Sequence, residues 1–96
     1  MDINAQELKE RIEKGESLHI IDVREEWEYE ERNIGAKNIP LGSLPNRLDE
    51  MGAGTDDEII VHCKSGGRSG QAQKFLTSKG YSNVRNLIGG IDGYPG

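Results

Sequence analysis

The stretch that decides the fold reads Glu58-Ile59-Ile60-Val61-His62-Cys63-Lys64-Ser65-Gly66-Gly67-Arg68-Ser69. Its first part is an apolar run, which predicts a buried strand, and its second part is a short glycine-bearing loop that leads into a helical pattern. Cys63 stands where the strand ends. Because open α/β sheets bind ligands outside the carboxyl ends of their strands, this stretch predicts a reactive site as well as an element of the fold.

Outward from this stretch, strand and helix patterns alternate along the chain. Strand patterns cover residues 18–21, 58–62 and 84–88, and residues 36–40 form a brief extended segment. Helical patterns follow Asn4, cover residues 25–32 and 44–51, and follow the glycine pair at 66–67. Because the strands are near-continuous apolar runs, we expect one compact α/β domain over residues 1–96, with a parallel sheet covered by helices on both faces.

Composition and charge argue against nucleic acids, membranes and metal ions as partners of this chain. The chain has 96 residues and a formal net charge of −5, whereas a nucleic-acid-binding surface needs an excess of cations. No apolar stretch reaches the length of a membrane span, and the start lacks the features of a signal peptide. We therefore expect a soluble, cytoplasmic protein with no nucleic-acid or membrane partner. With one cysteine and two histidines, no internal disulfide and no metal site are expected.

The loop after Cys63 has the features that stabilise a thiolate, the reactive form of cysteine. Gly66 and Gly67 allow successive amide N–H groups to converge on one point. The helix that opens at Arg68 or Ser69 presents the positive end of its dipole. Lys64 and Arg68 add full positive charges. Together these features predict that Cys63 is ionised near neutral pH without a general base.

Simpler interpretations exist for the cysteine and for both histidines. A lone cysteine at the end of a buried strand can be a small apolar filler, although a filler does not require the glycines and cations that follow Cys63. His62 is adjacent to Cys63 on a strand, so its ring is predicted to point to the opposite face and to be structural. His19 lies within an apolar run and is predicted to be a core or edge residue.

Four segments resemble, in the same order, the motifs of the rhodanese-like domain family, specifically its small single-domain sulfurtransferases. Residues 63–69 (CKSGGRS) are similar to the family's Cys-(Arg/Lys)-x-Gly-x-Arg-Ser loop, and residues 21–29 (IDVREEWEY) to its Asp-Val-Arg-x-x-x-Glu-Tyr/Phe segment. Residues 35–40 (GAKNIP) match Gly-Ala-x-Asn-Ile-Pro, and residues 87–91 (LIGGI) resemble the family's final glycine-glycine strand exit. The resemblance covers nearly the whole chain.

The resemblance implies a fold and a reaction. The fold is a parallel five-stranded sheet with helices on both sides. In the reaction, Cys63 accepts a sulfane sulfur from an anionic donor such as thiosulfate or a persulfide, and the resulting covalent persulfide passes it to a thiol, cyanide or a protein. No other cofactor is implied. The implied substrate-binding residues are Lys64, Ser65, Gly66, Gly67, Arg68 and Ser69, with Asp22 and Arg24 as supporting polar anchors.

Other functions stay open beside sulfur transfer. Phosphatases and arsenate reductases use a Cys-x5-Arg loop, but here Arg68 follows Cys63 after four residues, and the shorter cradle suits a single sulfur better than a phosphate. A non-catalytic rhodanese-like binding module is a second alternative, although such modules commonly lose the cysteine or the cations. A sulfur carrier with protein partners is a third, in which the acidic run at residues 25–31 is a docking face or merely a solvated one. A thiol–disulfide oxidoreductase is disfavoured, because no second cysteine could resolve a mixed disulfide.

Overall fold

A computed structural model describes residues 2–95, in which helices alternate with parallel strands; Met1 and Gly96, the two ends of the predicted domain, lie outside the described residues. The helices are α1 (Ala5–Glu13), α2 (Glu26–Glu31) and α3 (Gly67–Ser78). The strands are β1 (His19–Asp22), β2 (Lys37–Asn38), β3 (Glu58–His62) and β4 (Asn83–Asn86). Short 3₁₀ helices cover Leu41–Asn46, Leu48–Met51 and Ile91–Gly93.

Within residues 2–95 the sheet has four strands, so the prediction of five is wrong. The strand order is β2-β1-β3-β4, and all neighbouring pairs are parallel. The position of a fifth strand is taken by one bridge between Ile3 and Leu87. It goes no further because Asn4 caps α1, its side chain accepting the Glu7 N–H at 2.8 Å, so the backbone leaves the sheet after Ile3.

Apolar side chains of β3 alternate between two cores, one on each face of the sheet. Ile59 and Val61 belong to the larger core, which α3 covers with Ala72 and Leu76. Ile60 belongs to a smaller core together with Leu8 of α1 and residues near the chain start. The prediction of a parallel sheet with helices on both faces is therefore confirmed, and β3 is buried because both of its faces are covered.

The helix predicted over residues 44–51 is instead a pair of 3₁₀ helices. Pro45 lies inside the first of them, and a proline removes a backbone donor and disfavours α geometry in the residue before it. Leu44 and Met51 are nevertheless buried in the larger core. The apolar spacing therefore predicted the buried positions correctly but the helix type incorrectly.

The longest helix between residues 2 and 95 is α3, with 12 residues. Across this range no helix combines the length and the apolar character needed to cross a membrane.

Candidate functional site

Cys63 lies directly after β3, at the edge of the sheet where the strands end. The chain runs from β1 outward to β2 and then returns to place β3 on the other side of β1. This reversal leaves a crevice at the carboxyl ends of β1 and β3, the usual ligand position in open α/β sheets. Asp22 ends β1 and is paired in register with His62 of β3. The fold therefore brings Cys63, Asp22 and Arg24 to one edge, as predicted.

Polar groups of the loop converge on the sulfur of Cys63. The amide N–H groups of Gly66 and Ser69 donate to Sγ at 3.1 and 3.4 Å, and the hydroxyl of Ser69 lies 3.3 Å from it. Gly66 makes this geometry possible, because its φ of +116° is a conformation that side-chain-bearing residues rarely adopt. Gly67 is the first residue of α3, so the loop closes where that helix begins. The arrangement is an anion cradle around one atom.

The net effect of the cradle is a pKa of Cys63 below its ordinary value. Burial raises the pKa of the thiol, but hydrogen bonds from the Ser69 hydroxyl and from the amides of Ser69, Gly66 and Ser65 lower it by more. Cys63 is only 1% exposed. The hydrogen bonds from the loop therefore act on a buried sulfur and outweigh the effect of its burial on the pKa. The next two residues of the loop, Lys64 and Ser65, are exposed.

Ser69 is held by Asn86 at the end of β4. Its hydroxyl donates to Oδ1 of Asn86 at 2.6 Å, and the amide of Asn86 donates to the Gly66 carbonyl at 3.3 Å. A hydroxyl carries one proton and serves one strong acceptor at a time. The Ser69 hydroxyl therefore lies between two partners, Oδ1 of Asn86 and the sulfur of Cys63. Asn86 thus shapes the cradle from a strand that sequence reasoning did not connect to it.

The two predicted cations each have a carboxylate partner. Arg68 forms a bidentate pair with Glu28 of α2, at 2.6 and 2.9 Å. Hydrogen bonding to Arg68 lowers the pKa of Glu28 to about 2, against opposing burial, and the pKa of Arg68 is raised in turn. Lys64 is exposed, with Nζ 3.5 Å from Oδ2 of Asp92. The charges predicted to surround the sulfur are therefore largely balanced within the site.

Asp22 and Arg24 form a buried pair beside the cradle. The Arg24 guanidinium donates to both carboxylate oxygens of Asp22, at 2.7 to 3.2 Å, and Oδ1 also accepts the Arg24 backbone N–H. Arg24 further donates to the carbonyls of Glu28 and Arg32, at 3.3 and 2.6 Å. The pair therefore anchors α2, and α2 carries the carboxylate that holds Arg68. The supporting role of Asp22 and Arg24 in the reaction stays a prediction.

Neither histidine hydrogen-bonds the sulfur in the described residues. His62 is fully buried, with Nε2 3.7 Å from Oδ2 of Asp22 and Nδ1 3.4 Å from the Cys63 carbonyl. Burial lowers the pKa of His62, against the opposing effect of Asp22, and thereby favours the neutral ring. His19 lies at the surface, 3.9 Å from Asp57. The predicted structural role of both rings fits these positions.

Gly90 is the residue whose importance sequence reasoning missed most clearly. The segment that it opens supports the start of the loop: Ile91 N–H donates to the Cys63 carbonyl at 2.9 Å, and Asp92 N–H to the Lys64 carbonyl at 3.0 Å. A Cβ at Gly90 would lie 2.4 Å from the Lys64 oxygen. The glycine pair at 89–90 is part of a family motif, but its contact with the loop depends on the tertiary structure. Glu28 was likewise part of a motif without an assigned partner.

Residues 2–95 contain no group of three or more histidine, cysteine, aspartate or glutamate side chains that could hold a metal ion. The groups that surround Cys63 are hydrogen-bond donors and a paired arginine. The hydrogen-bond donors among them stabilise an anionic sulfur.

Comparison with known proteins identifies a family for nearly the whole chain. The profile of the rhodanese-like domain matches residues 4–95. YrkF of Bacillus subtilis (strain 168), provisionally named a sulfur carrier protein, is 36% identical over 99% of this chain, which spans only 51% of YrkF. Thiosulfate sulfurtransferase PspE of Escherichia coli (strain K12) is 38% identical over 74% of this chain and 69% of PspE.

A solved structure is similar over nearly its full length. The crystal structure of SSP1007 from Staphylococcus saprophyticus has a TM-score of 0.86 and 35% sequence identity, covering 98% of this chain and 92% of that one. The family profile, the relatives and the solved structure all point to one family. This chain therefore belongs to the rhodanese-like domain family.

Proposed function

We propose that the protein is a sulfurtransferase that carries a sulfane sulfur as a persulfide on Cys63. The observation that carries this proposal is the convergence of the Gly66 and Ser69 amides on Sγ at 3.1 and 3.4 Å. Donors placed in this way stabilise a thiolate, and they would also stabilise the anionic outer sulfur of a persulfide. No cofactor besides that covalent persulfide is required.

The reaction consists of two displacements at sulfur. With thiosulfate as donor, the Cys63 thiolate attacks the outer sulfur, the sulfur–sulfur bond of thiosulfate breaks, and sulfite leaves with the bonding electron pair. In the second step a thiolate or cyanide attacks the outer sulfur of the persulfide, and Cys63 leaves as the thiolate. The cradle assists both steps, because Cys63 is an anion at the start of the first and at the end of the second.

The names of two relatives support this reaction. PspE is named a thiosulfate sulfurtransferase, and the provisional name of YrkF is that of a sulfur carrier. We propose a small sulfur-containing anion as one donor and a thiol or a protein as acceptor. Lys64 and Arg68 stay predicted donor contacts, with Ser65, Gly67 and Ser69 completing the cradle. The cytoplasm expected from the sequence is a reducing compartment, which would keep the thiol of Cys63 free of disulfides.

Intact mass spectrometry after incubation with thiosulfate tests the proposal. The parent protein should gain the mass of one sulfur atom, and a thiol or cyanide should remove it. The Cys63→Ser variant should gain nothing while keeping the circular dichroism of the parent. Three donors should be tried at pH 8: thiosulfate, glutathione persulfide and cysteine persulfide. If none of the three adds a sulfur atom to the parent protein, a non-catalytic binding module is favoured instead.

A phosphatase function predicts a different result from the same protein. The loop from Cys63 to Arg68 has one residue fewer than a Cys-x5-Arg loop, and the sulfur already occupies the point at which its amides converge. We expect negligible hydrolysis of an aryl phosphate. Turnover comparable to sulfur transfer, and lost in Cys63→Ala, would assign the loop to phosphate chemistry.

A further inference from the structure

The outer face of α2 places a large apolar side chain beside the candidate site. Trp27 is 63% exposed, and α2 has no buried residue. A cavity of about 200 Å³ is lined by Trp27 and Ile91 and reaches the Cys63 loop at Lys64. We use the name α2 surface for Trp27 together with the exposed carboxylates of Glu25, Glu26, Glu30 and Glu31.

The size of the cavity suits a side chain of a docked polypeptide. Pockets that enclose a whole small ligand measure about 300–1,000 Å³, and this one is smaller and open to solvent at Trp27. Aromatic side chains are the residues that most often dominate binding energy at protein interfaces, where a partner buries them. Ile88 is the other large apolar side chain that is strongly exposed in residues 2–95, at 58%, and it does not line this cavity.

The charges around the cavity favour a cationic partner over a small anion. The cations nearest the sulfur are balanced in place: Arg68 by Glu28, Lys64 by Asp92, and Arg24 by Asp22. Arg32 is the remaining cation that lines the cavity, and its guanidinium donates to the Tyr94 carbonyl. Against Arg32 stand the four carboxylates of the α2 surface, of which Glu31 also lines the cavity and Glu26 is partly offset by Arg47. A doubly negative ion such as thiosulfate is thus not attracted from a distance, whereas a positively charged chain is.

We propose that the α2 surface docks a cationic polypeptide whose persulfidated cysteine is the sulfur donor to Cys63, an inference that rests on the proposed function. An apolar side chain of that polypeptide packs on Trp27, and its basic residues face the four carboxylates. Cys63 is almost entirely covered, so the narrow outer end of a persulfide enters past Lys64 and Ser65 while the rest of the donor stays outside.

The transfer balances without an added oxidant or reductant. The Cys63 thiolate attacks the outer sulfur of the donor's protonated persulfide, R–S–S–H. The sulfur–sulfur bond of the donor breaks, and its inner sulfur leaves as the thiolate R–S⁻ with the bonding pair. A sulfur–sulfur bond forms on Cys63, and the proton stays on the transferred sulfur until solvent removes it.

Three synthetic persulfides test the charge preference. Cysteine peptides of one length, flanked by lysine, serine or glutamate, are converted to persulfides and compared with thiosulfate as donors to the full chain. We expect kcat/KM to fall in the order lysine, serine, glutamate, with about tenfold between the extremes at low salt and a smaller ratio at high salt. Equal values for the three peptides would overturn the inference.

Variants test the location of the docking surface. Trp27→Ala should lower the ratio of kcat/KM for the lysine peptide to that for thiosulfate about fivefold, as expected when an interface aromatic is truncated. Ile88→Ala is the matched control, and it should leave the ratio unchanged. Replacing Glu30 and Glu31 together by glutamine should reduce the preference for the lysine peptide over the glutamate peptide. The same double change at Glu10 and Glu13 of α1 should not.

The outcomes separate this inference from the proposed function. If no donor loads Cys63, the proposed function fails, and the docking inference fails with it. If thiosulfate loads Cys63 but peptide charge and Trp27 make no difference, only the docking inference fails. Loss of the charge preference in the Glu10 and Glu13 variant would also overturn it, because the attraction would then belong to the whole molecule.

Discussion

Replacing Gly90 by alanine would place a Cβ too close to the backbone at the start of the Cys63 loop. The added Cβ would lie 2.4 Å from the Lys64 carbonyl oxygen, 2.5 Å from its carbonyl carbon and 2.6 Å from the Cys63 carbonyl oxygen. These are backbone atoms that cannot swing aside, so the loop would have to retreat by about 0.6 Å to bring the shortest contact from 2.4 to 3.0 Å. Gly90 also has φ 59° and ψ −159°, a region that essentially only glycine occupies.

The expected loss of stability can be worked from these contacts. Backbone strain in such a region costs about 1–3 kcal/mol. The retreat would also break or lengthen the hydrogen bonds from Ile91 N–H to the Cys63 carbonyl and from Asp92 N–H to the Lys64 carbonyl, each with a net contribution of about 1 kcal/mol. We expect Gly90→Ala to lower the free energy of unfolding by about 3–5 kcal/mol, a large part of the stability of a small domain.

Urea unfolding followed by circular dichroism measures this loss, and mass spectrometry measures sulfur loading of the protein that remains folded. Gly42→Ala is the matched control, because Gly42 has an ordinary φ and no atom within 4 Å of the added Cβ. It should change the free energy of unfolding by less than about 1 kcal/mol. A Gly90→Ala protein with the stability of the parent and its rate of sulfur loading would refute the claim that this segment holds the loop.

The other predictions concern the thiol, the acid stability and the core. Ser69→Ala removes a hydroxyl that lowers the pKa of Cys63, so the midpoint of iodoacetamide alkylation should move to higher pH; an unchanged midpoint would assign the lowered pKa to the amides alone. Hydrogen bonding to Arg11 lowers the pKa of Glu58 to about 2, against opposing burial. That stabilisation is present above the unfolded pKa near 4.5 and is lost as pH falls toward 2. Glu58→Gln should therefore remove about 1–2 kcal/mol at pH 7 after allowance for solvent screening, and should flatten the acid side of the stability profile; equally steep profiles would contradict this. Leu76→Ala empties part of the larger core and should cost about 2–5 kcal/mol in thermal or urea unfolding, whereas a loss below 1 kcal/mol would show that α3 packs loosely.

The position of Cys63 at the end of a buried strand could be predicted from sequence because its causes are local. An apolar run that ends at Cys63 and continues into Gly66 and Gly67 predicts a buried strand, a tight loop and a helix start, and the structure has all three. Alternation of strand and helix patterns likewise predicts a parallel sheet. These inferences depend on residues close together in the chain, whose spacing is visible without knowledge of the fold.

Tertiary structure decided what surrounds the sulfur. Glu28 and Arg68 lie 40 residues apart, and nothing in their spacing shows that α2 is anchored by Arg24 so that its carboxylate meets the guanidinium. Asn86 reaches Ser69, and Gly90 approaches Lys64, only because β4 lies beside β3. Such contacts depend on strand register and on packing angles between distant elements.

The elements that were predicted incorrectly have local causes instead. The start of the chain carries an apolar residue suited to a strand, but the cap of α1 ends the pairing after one residue, and Pro45 converts a helical spacing into 3₁₀ turns. By itself, the sequence determined that the apolar run before Cys63 is a buried strand, that Cys63 stands at its end and that the following loop can cradle an anion, because these follow from short-range patterns. The structure alone decided that the cations beside the sulfur are balanced and that Trp27 stays exposed, because charge pairing and exposure are set by segments that meet only when the chain is folded.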